Sequence, residues 1–383
     1  VTFTNHSNSP AIFREWVAIT TIGAALQRKV HLLIQGEPLF CNFYTVLVSP
    51  PGIGKTRAIR FGRRLLAGLP EFQLSADSVT KEKLYDVLTK STKVSLGKAG
   101  EMISQTALAC FLDELSTFIK ANDVDFMTVL TALFDCPTTW LYQTVSRGDV
   151  QIENLFLSIC GGITPKSIQR NWGEGAIGMG FTARLNLIYS EDGKPIDLFS
   201  KKTELDFGPL IRDLRQIHDL TGQMRVEPKA AEMLQSWVSA GMPPIPADSR
   251  FAEYNPRRSI HWIKLCMVYC IAESNDLIIK PRHVERAKAT LLEAERVLPL
   301  AFEHLGQNPM LNAINSVHQW MKVEYAINKT PIGETRLRRK LMADVPPQYI
   351  DAAINELLSS GLMSPHLQTS GRAFIPVNIR RTE

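Results

Sequence analysis

The segment Ser49-Pro-Pro-Gly-Ile-Gly-Lys-Thr56 constrains the fold more than any other part of the chain. It follows an apolar, β-branched run at residues 43–48 and precedes a helical pattern at residues 56–66. A glycine-rich loop between a buried strand and a helix aims several backbone N–H groups at one point, and the helix N-terminus adds partial positive charge there. Phosphate groups fit such a point. Pro51, Gly52, Ile53, Gly54, Lys55, Thr56 and Arg57 are the expected cradle, with Lys55 reaching the β- and γ-phosphates and Thr56 holding Mg²⁺. Loops of this kind ordinarily begin with glycine. Ser49 departs from that pattern, but Gly52 and Gly54 stand where the backbone must turn tightly. A chance turn rich in proline and glycine would not explain a strand on one side and a helix on the other.

A second strand-like run, Ala107-Leu-Ala-Cys-Phe-Leu112, ends in Asp113-Glu114, 58 residues after Lys55. A bare Asp-Glu pair is usually a solvated surface pair. At the carboxyl end of a buried strand it has another use, because hydrolysis needs one carboxylate near the metal and one to polarise water. Asp113 is expected in the magnesium shell and Glu114 as the catalytic base. Loop and pair together predict an ATPase, with ATP and Mg²⁺ as its cofactors.

The rest of the chain supplies the frame. With 383 residues, at roughly 150 per domain, two to three domains are expected. Residues 11–35 read as helix, and strand and helix patterns then alternate: strand 72–78, helix 80–88, strand 107–112, helix 125–134, strands 155–160 and 185–189. Continuous apolar strands between helices argue for a parallel sheet covered on both faces. After about residue 205 the strand signal fades, and residues 226–239, 259–274 and 281–302 read as helices. Hydrophobic residues at 45% and charged residues at 21% exclude wholesale disorder. No run approaches the ~18 consecutive apolar residues of a membrane span. Residues 1–10 are polar and lack a signal-peptide core, and the chain starts at Val1, as a piece trimmed from a longer chain would. Six scattered cysteines give no disulfide framework or zinc pattern and suit a reduced, cytoplasmic protein. The net charge of +5 permits a nucleic-acid partner without demanding one.

Three further residues have two readings each. Residues 140–152 alternate around a Gly-Asp turn, which predicts a β-hairpin with Arg147 at its tip. That arginine either grips nucleic-acid phosphates in a ring pore or is simply solvated. Thr164, just past the strand at 155–160, either touches the γ-phosphate or its attacking water, or caps the turn that follows. Arg184, before the strand at 185–189, either reaches a neighbouring subunit's γ-phosphate or forms a structural ion pair.

These residues resemble the AAA+ class of ring ATPases, and within it phage, prophage and mobile-element replication ATPases related to minichromosome-maintenance and superfamily-3 helicases. The resemblance spans roughly residues 10–300. It rests on Ala24-Ala-Leu-Gln-Arg-Lys-Val30, the stretch Asn42 to Thr56, Phe111-Leu-Asp-Glu114, Gly161-Gly-Ile-Thr164 and Gly180-Phe-Thr-Ala-Arg184. It implies that Thr164 is sensor 1, that Arg184 is an arginine finger, and that Arg258 or its neighbour Arg257 touches the nucleotide from a helical lid. The implied architecture is a helical N-terminal segment (1–40), a P-loop α/β core with a parallel sheet (41–205), a helical lid (206–308) and a winged-helix domain (309–383). In the last part Arg336, Arg338, Arg339 and Lys340 cluster where phosphate contacts with DNA would be useful, although such modules also dock proteins and such runs are often solvated. The expected function is an ATP-dependent DNA helicase or translocase of a mobile element. It would act as a homo-hexamer with single-stranded DNA in the pore, with duplex at the winged helix or a primase or other replication protein as further partners, and with no membrane. The rival is an ATP-dependent switch, such as a helicase loader, transposition regulator or defence ATPase.

Overall fold

A computed structural model describes residues 2–4, 7–70, 72–76, 80–96, 102–144, 148–177, 180–193, 205–246, 248–301, 309–342, 345–368 and 371–377. The chain divides into two units, Val1–Leu305 and Gly306–Glu383. The stretches expected as N-terminal segment, core and lid therefore share the first unit. Among the described residues no helix is long and apolar enough to cross a membrane.

The first unit opens with α1 (Ala11–Leu26), which ends where Gln27 takes a positive φ of 53°. Helix does not continue to residue 35 as the pattern predicts. β1 (Val30–Ile34) and β2 (Glu37–Phe40) instead form an antiparallel hairpin, because Gln35 and Gly36 both adopt positive φ and so form a tight turn. Next come β3 (Tyr44–Val48), α2 (Lys55–Ala67), α3 (Lys81–Lys90), β4 (Thr92–Leu96) and β5 (Met102–Leu112). Of the strand expected over 72–78, the described residues 72–76 form a single parallel bridge, Leu74 to Ala109. The neighbouring edge is taken by β4, which runs antiparallel to β5.

α4 (Val124–Phe134) leads into the hairpin of β6 (Thr139–Thr144) and β7 (Gly148–Glu153), then β8 (Leu155–Ile163), α5 (Pro165–Ile177) and β9 (Leu185–Tyr189). The central sheet has the order β4-β5-β8-β3-β9. Its β5–β8, β8–β3 and β3–β9 pairs are parallel. This is a mixed α/β fold built on a parallel sheet. Every residue of β3, β8 and β9 is buried, as strands covered on both faces must be. Alternation along a strand separates the two faces. Tyr44, Val46 and Val48 enter one core cluster with Leu108, Cys110 and Leu112, while Phe43 and Leu47 enter the other with Ala109 and Phe111.

α2 shows why the helices sit so close to the sheet. Its Ala58, Ile59, Gly62 and Leu66 are buried on one face. A Cβ added at Gly62 would lie 2.6 Å from the Phe111 ring and 2.8 Å from Val17, so α1, α2 and β5 meet with no room for a side chain. The helical remainder comprises α6 (Gly208–Asp219), the short strands β10 (Gly222–Gln223) and β11 (Arg225–Val226), α7 (Pro228–Ser239), α8 (Arg258–Glu273), β12 (Ile278–Ile279) and α9 (Pro281–Ala301). All six cysteines are buried and free, with Cys266 and Cys270 both in the core of α8.

The second unit runs α10 (Pro309–Asn328), β13 (Ile332–Gly333), α11 (Glu334–Leu341), α12 (Ile350–Ser359), β14 (Met363–Gln368) and β15 (Gly371–Pro376). Its antiparallel sheet has the order β13-β15-β14 and packs a core of its own around Val317, Leu337, Leu357 and Phe374.

Candidate active site

Because β8 lies between β3 and β5, the loops leaving the carboxyl ends of all three strands are neighbours. The loop after β3 carries Gly52 and Gly54, both at positive φ (87° and 89°), so the backbone turns where only glycine does so without strain. Gly54 caps α2, and the chain at Ser9 passes so close that a Cβ on Gly54 would stand 2.9 Å from the Ser9 Cα.

Lys55, the first residue of α2, is buried. Its Nζ donates to the Ser49 carbonyl (2.7 Å), the Ser49 hydroxyl (2.9 Å) and the Pro50 carbonyl (3.0 Å). Ser49, the departure from the usual loop pattern, is thus an anchor for the lysine. Burial pushes the Lys55 ammonium down to about 8, and the Glu114 carboxylate opposes that shift. A desolvated ammonium gains most from an incoming anion, which restores the counter-charge that burial removed.

Gly52, Gly54, Lys55, Thr56, Arg57, Asp113, Glu114 and Thr164 line one cavity of about 700 Å³, together with Pro51. That volume lies within the range of small-molecule sites. Ile53 points elsewhere and packs against the hydrophobic core. Asp113 accepts from Arg60 Nε (3.1 Å) and Nη2 (2.6 Å), both at Oδ2. Glu114 accepts from the Ser116 hydroxyl at 2.6 Å and so caps the turn that follows β5. Thr164 donates to the Ser167 hydroxyl (2.9 Å) and accepts from the Ser167 N–H (3.2 Å); it caps α5 while lining the cavity. Thr56 and Asp113 offer the oxygen donors that a phosphate-bound Mg²⁺ accepts. Among the described residues no three His, Cys, Asp or Glu side chains gather into a metal site of their own.

Arg258, which the resemblance places at the bound nucleotide, does not line this cavity, and neither does Arg184, which it directs to a neighbouring subunit's nucleotide. The Arg258 side chain is 1% exposed and forms a buried ion pair with Glu295 (2.7 Å), and it also donates to the carbonyls of Met242 and Pro244. Arg184, 9% exposed, donates to Asp135 (2.8 Å) and to the Gly180 carbonyl (3.0 Å). Asp135 also accepts from Arg257 at 3.3 Å, so one carboxylate holds two guanidinium groups. Arg147 lies outside the described residues.

In the second unit, Arg336, Arg338, Arg339 and Lys340 all lie on α11. Arg336 pairs with Glu324, and Arg338 with Glu334 and Asp351, while Arg339 is exposed. The following helix, α12, carries Asp351 and Glu356 and no Lys or Arg.

Asn8, Arg60, Phe61, Arg64 and Phe207 also line the cavity, and sequence reasoning missed all five. The arginines had a signal. Arg57, Arg60 and Arg64 recur at three- and four-residue spacing, which puts them on one face of the helix that follows the loop. Phe207 stacks on Phe61 (6.1 Å) under the Arg64 guanidinium (4.1 Å), a contact between residues more than a hundred positions apart that has no local signature. A scan against protein-family models finds no match for the chain, and a search of curated proteins finds none either.

Proposed function

We propose that the chain is an ATPase of the AAA+ type that works on DNA within an oligomeric ring, as a helicase or translocase. The convergence of Lys55, Thr56, Asp113, Glu114 and Thr164 on one cavity at the carboxyl edge of a parallel sheet carries this reading. Open α/β sheets bind ligands at that edge. Backbone N–H groups and the start of α2 would hold the β-phosphate, and Lys55 would trade loop carbonyls for phosphate oxygens. Bound Mg²⁺ would neutralise phosphate charge. Glu114 holds Ser116 through Oε1 and would accept a proton from water at Oε2, and Thr164 would help to orient that water.

The hairpin of β6 and β7, inserted between α4 and β8, supports the pore reading, and the order of helices and strands in the second unit supports a winged helix. One observation favours the rival, a switch that recruits a partner. α12, which would be the groove-reading helix if this unit is a winged helix, has no Lys or Arg, and Arg336 and Arg338 on α11 are already paired. ATP hydrolysis together with strand displacement on forked DNA separates the two. Hydrolysis with displacement, both abolished by Glu114→Gln, fits the helicase; hydrolysis without displacement or translocation fits the switch. A wild-type protein that binds no nucleotide would remove both.

A further inference from the structure

The cavity is longer than a phosphate site needs to be. Along α2 its wall runs from Lys55 past Phe61 to Arg64, which lies nine residues beyond the lysine, roughly 13.5 Å along the helix. Its character changes over that length. Backbone N–H groups, an ammonium and carboxylates gather near the loop, whereas Phe61, Arg64 and Phe207 meet further along. Phe207 is buried, with the Phe61 ring stacked beside it (6.1 Å) and the Phe3 ring set edge-on (5.1 Å). Three distant parts of the chain therefore fix that ring. The Arg64 guanidinium lies over it, 4.1 Å from the ring centre, close enough for a guanidinium to stack on an aromatic face. Among the described residues no carboxylate pairs with Arg64, so the Phe207 ring is the contact that holds it. Phe207 covers one face of the guanidinium. The residue as a whole is exposed and lines the cavity, which leaves the other face open to it.

A phosphate chain held at Lys55 carries its sugar and base away from the loop, and every base has a planar face that stacks on an aromatic ring or a guanidinium plane. We propose that Arg64, supported by Phe207, is the stacking platform for the base of the bound nucleotide. This assignment rests on the nucleotide-site reading and names what occupies the far part of the same cavity. It requires no movement of Arg64 and depends on the plane of the guanidinium more than on its charge. An arginine that only shields Phe207 from water would make no difference to a ligand.

The test uses the whole chain with ADP and inorganic pyrophosphate as probes, which share a pair of phosphates but not the base. Calorimetry in chelator measures both in wild type, Arg64→Met, Arg64→Lys and Lys55→Ala. Arg64→Met, which keeps a long side chain without the plane, should bind ADP about tenfold more weakly, as expected for loss of one base stack. Arg64→Lys should be as weak within about twofold, because an ammonium is a point charge with no planar face. Pyrophosphate should bind wild type and both Arg64 variants within about twofold of one another, since roughly 13.5 Å exceeds the Debye length of about 8 Å at physiological salt. If Arg64→Lys matches wild type for ADP, Arg64 acts by charge and the platform is wrong. If ADP and pyrophosphate weaken together in Arg64→Met, Arg64 serves the phosphates or the shape of the loop, and the platform is again wrong. If Lys55→Ala loses both probes while both Arg64 variants match wild type, the platform is wrong and the nucleotide site stands. If the wild type binds neither probe, the nucleotide-site reading fails and this one with it.

Discussion

Burial of Lys55 gives its ligand binding a pH dependence that an ordinary lysine would not show. With its proton affinity pushed down to about 8, the ammonium is about nine-tenths protonated at pH 7 and about one-tenth at pH 9. A bound polyphosphate favours the charged form and draws the proton back. Apparent affinity for ADP should therefore fall about tenfold between pH 7 and pH 9 and approach a decade per pH unit above 8. The terminal phosphate, with its last ionisation near 6, keeps its charge across that range. Calorimetry in chelator at fixed ionic strength measures the effect. Lys55→Arg, always charged, should flatten the profile. Lys55→Met, which removes the ammonium together with its hydrogen bonds, should cost at least about a hundredfold at pH 7. The same burial means that the folded chain binds fewer protons than the unfolded chain between pH 8 and 10.5. Lys55 therefore penalises folding below pH 8, and that penalty is relieved as pH rises through the window. Equal ADP affinity for the wild type at pH 7 and pH 9 would refute the assignment of Lys55 as the phosphate-binding cation.

Arg258→Met should lower stability by about 3–5 kcal/mol in denaturant titration, because Glu295, 6% exposed, loses its counter-ion, while ADP affinity stays within about twofold. Unchanged stability with nucleotide binding lost would return Arg258 to the site. Arg184→Ala and Glu114→Gln should each be inactive alone, and mixing them should restore part of the ATPase rate if Arg184 exchanges Asp135 for a neighbour's phosphate. No recovery under demonstrated subunit exchange would leave Arg184 as a purely structural ion-pair residue. Burial pushes the His261 imidazole down to about 4, so its contribution to stability is present above pH 6.5 and lost as pH falls toward 4, about 3 kcal/mol in all. His261→Gln, which retains a donor for the Ala183 carbonyl, should show a shallower acid-side decline in thermal denaturation, and a decline as steep as wild type would rule out His261 as its source.

The glycine-rich loop, the strand before it and the helix after it were legible because the geometry is local. Gly52, Gly54, Lys55 and Thr56 are contiguous, and the dihedral angles and helix terminus they require are set within about ten residues. That Asp113, Glu114 and Thr164 would gather was legible for a related reason: each follows a largely apolar run, and parallel strands deliver their carboxyl ends to one edge. The hairpin of β1 and β2 was not, because residues 30–40 continue an apolar pattern that suits helix or strand, and the turn at Gln35 and Gly36 decides between them. Arginines were least legible of all. Arg60, Arg184 and Arg258 are long cations near a predicted site, alike in sequence terms. Only the fold sets Arg60 against Asp113, Arg184 against Asp135 and Arg258 against Glu295, since a guanidinium goes to whichever carboxylate the packing of distant segments brings within reach.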